Sequence, residues 1–190
     1  WVWDGAFSPD FDPANKQLAN RIVTVSQDGK AIVWKMKTTA QRPQVTTVSL
    51  VQDKVSLNKS STIEMVQEST FTGHRGPIYS VAYSPDGTEI ATASNDKRVL
   101  LWNPADVPAF NLDNLLLKKT VQIDQRVLSG HSAPVQAVTY SRDGKLLISG
   151  GRDNAVKIWD LKNGKSIKTF RGHDSAVRSV DISPDGRQVI

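Results

Sequence analysis

His74, Ser94 and Asp96 bring together the three side-chain types of a nucleophilic hydrolase. That chemistry needs a serine oxygen open to substrate, a histidine beside it to take the proton, and donors aimed at the developing oxyanion. Repetition argues against it. Aspartate returns as Asp28, Asp96 and Asp153, each six residues before a tryptophan, at Trp34, Trp102 and Trp159. Histidine returns as His74, His131 and His173, each directly after glycine. An enzyme has no use for copies of one active site at a fixed interval, so the structural reading of these residues is the stronger. The histidines do not build a metal centre either, because each sits in a separate unit with no second nitrogen or carboxylate at ligand spacing. Asp10 and Asp12 lack the glycine and the downstream glutamate of a calcium loop and read as a solvated turn. There is no glycine-rich phosphate loop and no cysteine, so neither disulfides nor thiolate metal sites enter, and no cofactor is expected.

The elements that hold these residues follow from the repeat. Gly73-His74 leads to Trp102, Gly130-His131 leads to Trp159, and Gly172-His173 opens a further unit. Each pair is followed by a short apolar strand and a turn, SPDG at 84–87, SRDG at 141–144 and SPDG at 183–186, and an SPD at 8–10 precedes Trp34. His131 to His173 spans 42 residues, as does Arg142 to Pro184. A period near forty with these signposts is that of a β-propeller blade. It divides the chain into blade one (1–72), blade two (73–129), blade three (130–171) and the start of blade four (172–190). The expected fold is all-β, a propeller fragment of about three blades plus the start of a fourth, because a closed ring of seven needs roughly 300 residues. The remaining blades of a parent propeller are then expected partners.

Within the first strand of each unit the apolar positions are Ile78, Val81 and Tyr83, then Val135, Val138 and Tyr140, then Val177, Val180 and Ile182. A step of three followed by a step of two breaks strict alternation and predicts a β-bulge. The next two strands, Ile90 to Ser94 or Leu147 to Gly151 and then the one carrying tryptophan, are apolar on both faces, as strands sandwiched between neighbouring sheets must be. The 24 Lys and Arg against 19 Asp and Glu give +5, but the basic residues are scattered, with Lys118-Lys119 the densest pair. A solvated surface is favoured, and a nucleic-acid partner is not. No run approaches the ~18 apolar residues of a membrane span, so a soluble, cytoplasmic protein is expected.

On these motifs the chain resembles the WD-repeat β-propeller family, the group that includes the G-protein β subunit. The resemblance implies four-stranded antiparallel blades whose outermost strands run roughly from Ile63 to Phe71, Val121 to Leu128 and Ser166 to Phe170. It implies a buried hydrogen-bond chain of histidine, serine, aspartate and tryptophan in each blade: His74, Ser94, Asp96 and Trp102 in blade two, His131, Asp153 and Trp159 in blade three, and Ser26, Asp28 and Trp34 in blade one. Gly151 stands where Ser94 stands in blade two, which predicts a missing hydroxyl link in blade three, filled by a bridging water. The aspartate that normally follows tryptophan survives only as Asp160, with Lys35 and Asn103 in its place earlier.

The resemblance also implies a docking rim formed by the Gly-His loops and the Asp turns. Its contact positions fall on Trp1, Trp3 and Gln27, on Pro77, Tyr79 and Asn95, on Pro134, Gln136 and Arg152, and on Ala176 and Arg178. Three insertions, Phe11 to Asn20, Met36 to Thr62 and Pro104 to Thr120, belong to the opposite face. Thr46 to Val51 suggests an extra hairpin there, and Leu112 to Lys119 a helical turn or apolar loop. The expected function is a non-catalytic scaffold that binds protein or peptide partners on the rim. The alternative is the sensory or targeting propeller of a multidomain enzyme of kinase or protease type whose catalytic domain lies elsewhere.

Overall fold

Short runs rich in apolar and β-branched residues, set off by tight turns, form twelve strands among the described residues, seen in a computed structural model that describes residues 1–9, 21–40, 61–107 and 125–190. The first sheet holds β1 (Val2–Phe7), β2 (Arg21–Ser26), β3 (Ala31–Ala40) and β4 (Ser61–Phe71). The second holds β5 (Ile78–Tyr83), β6 (Ile90–Ser94), β7 (Arg98–Trp102) and β8 (Gln125–Ser129). The third holds β9 (Val135–Tyr140), β10 (Leu146–Gly151), β11 (Ala155–Asp160) and β12 (Lys165–Arg171). Each is an antiparallel meander in chain order. These are three propeller blades, and residues 172–190 open the next with the bridge Ile182↔Val189.

Two recurring turns fix the meander. In the first, Ser84 Oγ donates to Asp86 Oδ1 at 2.6 Å and accepts from Glu89 N at 2.9 Å, while Gly87 takes φ +72°. Ser141 and Ser183 repeat the arrangement with Gly144 and Gly186. A serine hydroxyl and a following carboxylate thus close the turn, and glycine supplies the left-handed residue. In the second, the left-handed position is held by Gly29, Lys97 and Asn154 in successive blades.

The bulge inferred from the apolar spacing lies in the innermost strand of each sheet. Pairing passes from Val2↔Ser26 to Asp4↔Val25, from Ile78↔Ser94 to Ser80↔Ala93, and from Val135↔Gly151 to Ala137↔Gly150. Trp3, Tyr79 and Gln136 are therefore left out of register, free to point away from the sheet.

The sheets pack face to face. β6 is buried along its whole length. Val23, Val25 and Val33 meet Ile78, Val81 and Ile90 in one cluster, and Ala93, Val99 and Leu101 meet Val135, Val138 and Leu147 in the next. The segment after β12 packs Val177 and Val180 on Ile148, and Gly150 permits that approach, since a Cβ there would lie 2.6 Å from Val177 Cγ1.

The strands differ in places from expectation. β3 and β4 pair out to Ala40↔Ser61, so the backbone of residues 36–40 and 61–62, expected in the second insertion, continues the hairpin. At the third insertion, Ala105 N donates to Asn103 Oδ1, and the turn returns Val107 to the core. The first insertion, the hairpin suggested at 46–51, the turn or loop suggested at 112–119, and residues 121–124 of the expected outer strand lie outside the described residues.

The residue that leads into the second strand is charged in two blades, with opposite sign, and pairs each time with the outermost strand. In the first sheet Arg21, opening β2, pairs with Glu68 on β4. In the second, Glu89, just before β6, pairs with Arg126 on β8 at 2.7 Å. The third sheet supplies partners to the latter: Tyr140 Oη donates to Glu89 Oε2 at 3.1 Å, and Arg126 Nη1 donates to Leu161 O at 2.6 Å. Burial, and then Glu89, push the Tyr140 phenol well above its ordinary range, so it stays a donor. Tyr140→Phe is expected to lower stability by about 1 kcal/mol. The exchange Glu89→Arg with Arg126→Glu is expected to stay well below wild type, since arginine cannot accept from Tyr140 nor glutamate donate to Leu161 O. Urea midpoints of the variants check both, and full recovery in the exchange would show that only the mutual attraction matters.

Candidate functional site

The site begins with a buried polar chain in blade three. Trp159 Nε1 donates to Ser149 Oγ at 2.8 Å, Ser149 Oγ lies 2.7 Å from His131 Nε2, and His131 Nδ1 lies 2.9 Å from Asp153. Proton positions follow by elimination. An indole N–H only donates and a carboxylate only accepts, so His131 Nδ1–H donates to Asp153, and with the buried ring neutral the serine hydrogen goes to the bare Nε2. Asp153 also accepts from Ser132 N and Ala155 N, tying the Gly-His loop to the tight turn. Burial holds His131 below its ordinary 6.5, outweighing the opposing pull of Asp153. Burial pushes Asp153 up, but the bonds from His131 and Ser132 prevail and its carboxyl sits below the usual range.

Blade two repeats this with one change. His74 Nδ1 lies 2.9 Å from Asp96, and His74 Nε2 lies 2.9 Å from Thr92 Oγ1. Asp96 further accepts from Arg75 N and from Arg98 Nη2; against the effect of burial, these bonds hold it well below the carboxylate range. Trp102 Nε1 is buried without a hydrogen-bond partner among the described residues. Its ring instead stacks on Phe71, with centroids 4.5 Å apart and planes at 6°. In blade one Trp34 Nε1 donates to Thr24 Oγ1 at 2.8 Å, and Asp28 closes its turn with Ser26 and Lys30 N.

The hydroxyl link is thus a correction. It was expected at Ser26 and Ser94, with Gly151 leaving a gap; it lies two residues earlier in each strand, at Thr24, Thr92 and Ser149. The signal was present, since a hydroxyl stands ten residues before tryptophan in every copy, whereas the position eight before reads Ser26, Ser94 and Gly151. Ser94 instead donates to Pro77 O at 2.8 Å and accepts from Asp96 N, pinning the turn. No water is needed to complete blade three. Gly151 makes room for the chain, because a Cβ there would lie 2.8 Å from Asp153 Oδ1 and 2.9 Å from His131 Nδ1. Nor can His74, Ser94 and Asp96 act as a triad: the ring of His74 turns to Thr92, and both Ser94 and the His74 side chain are 0% exposed. No group of three potential metal ligands occurs among the described residues.

Above this chain lies the rim. The turn residue donates its backbone N–H to the residue before β1, β5 or β9 in each blade: Gln27 N to Trp1 O at 3.0 Å, Asn95 N to Pro77 O at 2.9 Å, and Arg152 N to Pro134 O at 2.8 Å. Each bulged side chain stands beside that joint. Trp3, 52% exposed, meets Tyr79 edge-on, with centroids 5.8 Å apart and planes at 78°. Tyr79 Oη donates to Asn95 Oδ1 at 3.1 Å, and the Arg152 guanidinium lies 5.7 Å from the Tyr79 centroid. One ladder of side chains therefore crosses three blades. Gln136 and Ala176 are half-buried, while Trp1 and Arg178 are exposed.

The family profile described as "WD domain, G-beta repeat" matches residues 65–103, 123–160 and 164–190, more than half the chain. The chain belongs to the WD-repeat family. The COMPASS component SWD3 of Saccharomyces cerevisiae is 34% identical over 125 residues, covering 66% of this chain and 35% of that protein. A guanine nucleotide-binding protein subunit beta of Zea mays is 27% identical over 208 residues, covering 96% of this chain and 51% of its own length. The crystal structure of the RRP9 WD40 repeats superposes with a TM-score of 0.62 at 18% identity, covering 95% of this chain and 41% of that one, a likeness of fold. The WD-repeat chain thus spans about half or less of the length of the curated relatives it matches.

Ser149→Ala leaves the Trp159 N–H without its acceptor and His131 Nε2 without its donor, and is expected to lower stability by about 1–3 kcal/mol, read from the denaturation midpoint. The buried, pKa-depressed His131 adds a pH signature. Below about pH 6.5 the unfolded chain takes up a proton that the folded protein refuses, so this stability is complete above that pH and is lost as pH falls toward the folded pKa. Asp96 and Asp153, depressed from 3.8, contribute stability above that value and lose it only at still lower pH. Midpoints are expected to fall between about pH 7 and pH 5.5, and to fall less steeply in His131→Gln.

Proposed function

We propose that this WD-repeat protein is a non-catalytic scaffold that captures protein or peptide partners on the rim of Gly-His loops and Asp turns. WD-repeat proteins generally act as protein-interaction scaffolds, and the relatives named as a COMPASS component and as a G-protein β subunit fit that role. The observation that carries the rim is the Trp3–Tyr79–Arg152 ladder, because tryptophan, tyrosine and arginine are the side chains that most often dominate interface energy. Beneath it, in blades two and three, the joints between turn and strand are held by the buried, bonded carboxylates of Asp96 and Asp153. A surface so preformed loses less freedom on binding than a mobile one. Further blades of a parent propeller and a cytoplasmic site of action belong to the same proposal. No helix among the described residues is long and apolar enough to cross a membrane.

Trp3→Ala and Tyr79→Ala are each expected to weaken partner capture about tenfold or more, with little change in melting temperature. Binding titrations beside thermal melts check this. A large loss of thermal stability with unchanged capture would assign both rings to the core and remove the rim from the mechanism.

A further inference from the structure

Resting on the rim reading, we infer that the occupant is an acidic peptide segment carrying an apolar side chain. The rim has an excess of unmatched positive charge. Arg75, Lys97, Arg152 and Arg178 are exposed and form no ion pair among the described residues. The carboxylates nearest them are already taken. Asp96 accepts from His74, Arg75 N and Arg98, and Asp153 from His131, Ser132 N and Ala155 N. Asp28 is bonded to Ser26 and paired with Lys30. One exposed carboxylate on the same loops, Asp174, has no such partner.

The positions of the cations narrow the chemistry. Arg75 follows the Gly-His pair of blade two, Lys97 sits in its tight turn, Arg152 occupies the same turn of blade three, and Arg178 takes the bulge position of the next unit. The half-buried Tyr79 stands between the exposed Trp3 and Arg152, and Arg178 lies one unit further on. A partner must therefore bring apolar surface to the tryptophan and negative charge to one side of it. Arginine forks match carboxylates in paired hydrogen bonds, which gives the contact direction as well as attraction. A single-stranded nucleic acid would also bring negative charge, but it binds by stacking bases on open ring faces. Here the two rings stand at 78° to each other and the Arg152 guanidinium lies over Tyr79, so the pair forms no continuous platform for successive bases.

The test uses the intact protein and fluorescein-labelled twelve-residue peptides. One has two leucines followed by a run of Glu and Asp, a second has every acid replaced by its amide, and a third keeps the acids with the leucines replaced by serine; oligouridine of equal length is the competitor. The acidic leucine peptide is expected to bind about tenfold or more tightly than either twin, with affinity falling as salt rises. Trp3→Ala, Arg152→Glu and Arg178→Glu are each expected to weaken it about fivefold or more, with melting temperatures unchanged. Equal binding of the amide twin, still sensitive to Trp3→Ala, would overturn the acidic preference and leave rim docking standing. Binding that ignores all three substitutions would overturn the rim itself. Displacement by oligouridine, or binding of no peptide, would overturn the peptide assignment.

Discussion

In the sequence Trp159, Ser149, His131, Asp153 every polar hydrogen has one destination, and the blade is built around that fact. The tryptophan can only donate and the aspartate can only accept, so with a neutral imidazole the direction of all three bonds between them is set. Shut away from water, the chain stabilises only when complete, because a missing member leaves its neighbours buried and unmatched. Its terminus, the aspartate, is also the group that gathers backbone N–H donors from the Gly-His loop and from the start of β11. The fold's interior chemistry thus fixes the outline of its rim: where the carboxylate is held, the turn and the loop are held, and the side chains beside them are presented at set angles.

Blade two shows what tolerance the scheme has. There the histidine bonds to threonine, and the tryptophan is retained by its stack on Phe71 in place of a hydrogen bond. A buried aromatic pair gains from contact area and ring geometry together. Tyr83, in the same region, is likewise buried with no partner for its hydroxyl among the described residues, and burial pushes its phenol up to about 12. Both groups lie in the cluster between the first two sheets, where apolar packing with Val23, Ile78 and Ile90 dominates.

Much of this architecture is legible in the sequence because its signals are local. An Asp-Gly turn closed by serine needs only four or five residues, and the bulge announces itself in the spacing of Ile78, Val81 and Tyr83. The hydroxyl link is harder to place for a related reason. Ser94 and Thr92 lie two apart on one strand and so share a face, and proximity to the turn made Ser94 the more visible of the two. Only comparison of all three copies, counted back from tryptophan, separates them. That Trp3 and Tyr79 form one aromatic patch is legible from their matching bulge positions, whereas the approach of Arg152 to Tyr79 is not, since it depends on how far successive sheets are rotated, which no single repeat encodes. The same holds for Tyr140 and Glu89, whose partnership spans two blades.

A chain assembled from near-copies faces a hazard that a chain of unlike parts escapes, for any unit resembles a plausible neighbour of any other during folding. The opposed ion pairs bear on this. Arg21 and Glu89 occupy matching places with opposite sign, and in the third sheet the matching residue is Leu146. Glu89 and Arg126 bond across to Tyr140 Oη and Leu161 O, whereas Tyr83, which matches Tyr140, has no hydrogen-bond partner among the described residues. Each interface consequently carries its own address. A sheet that docks beside the wrong sibling leaves such groups without their partners, and that mismatch favours release over trapping before the arrangement sets.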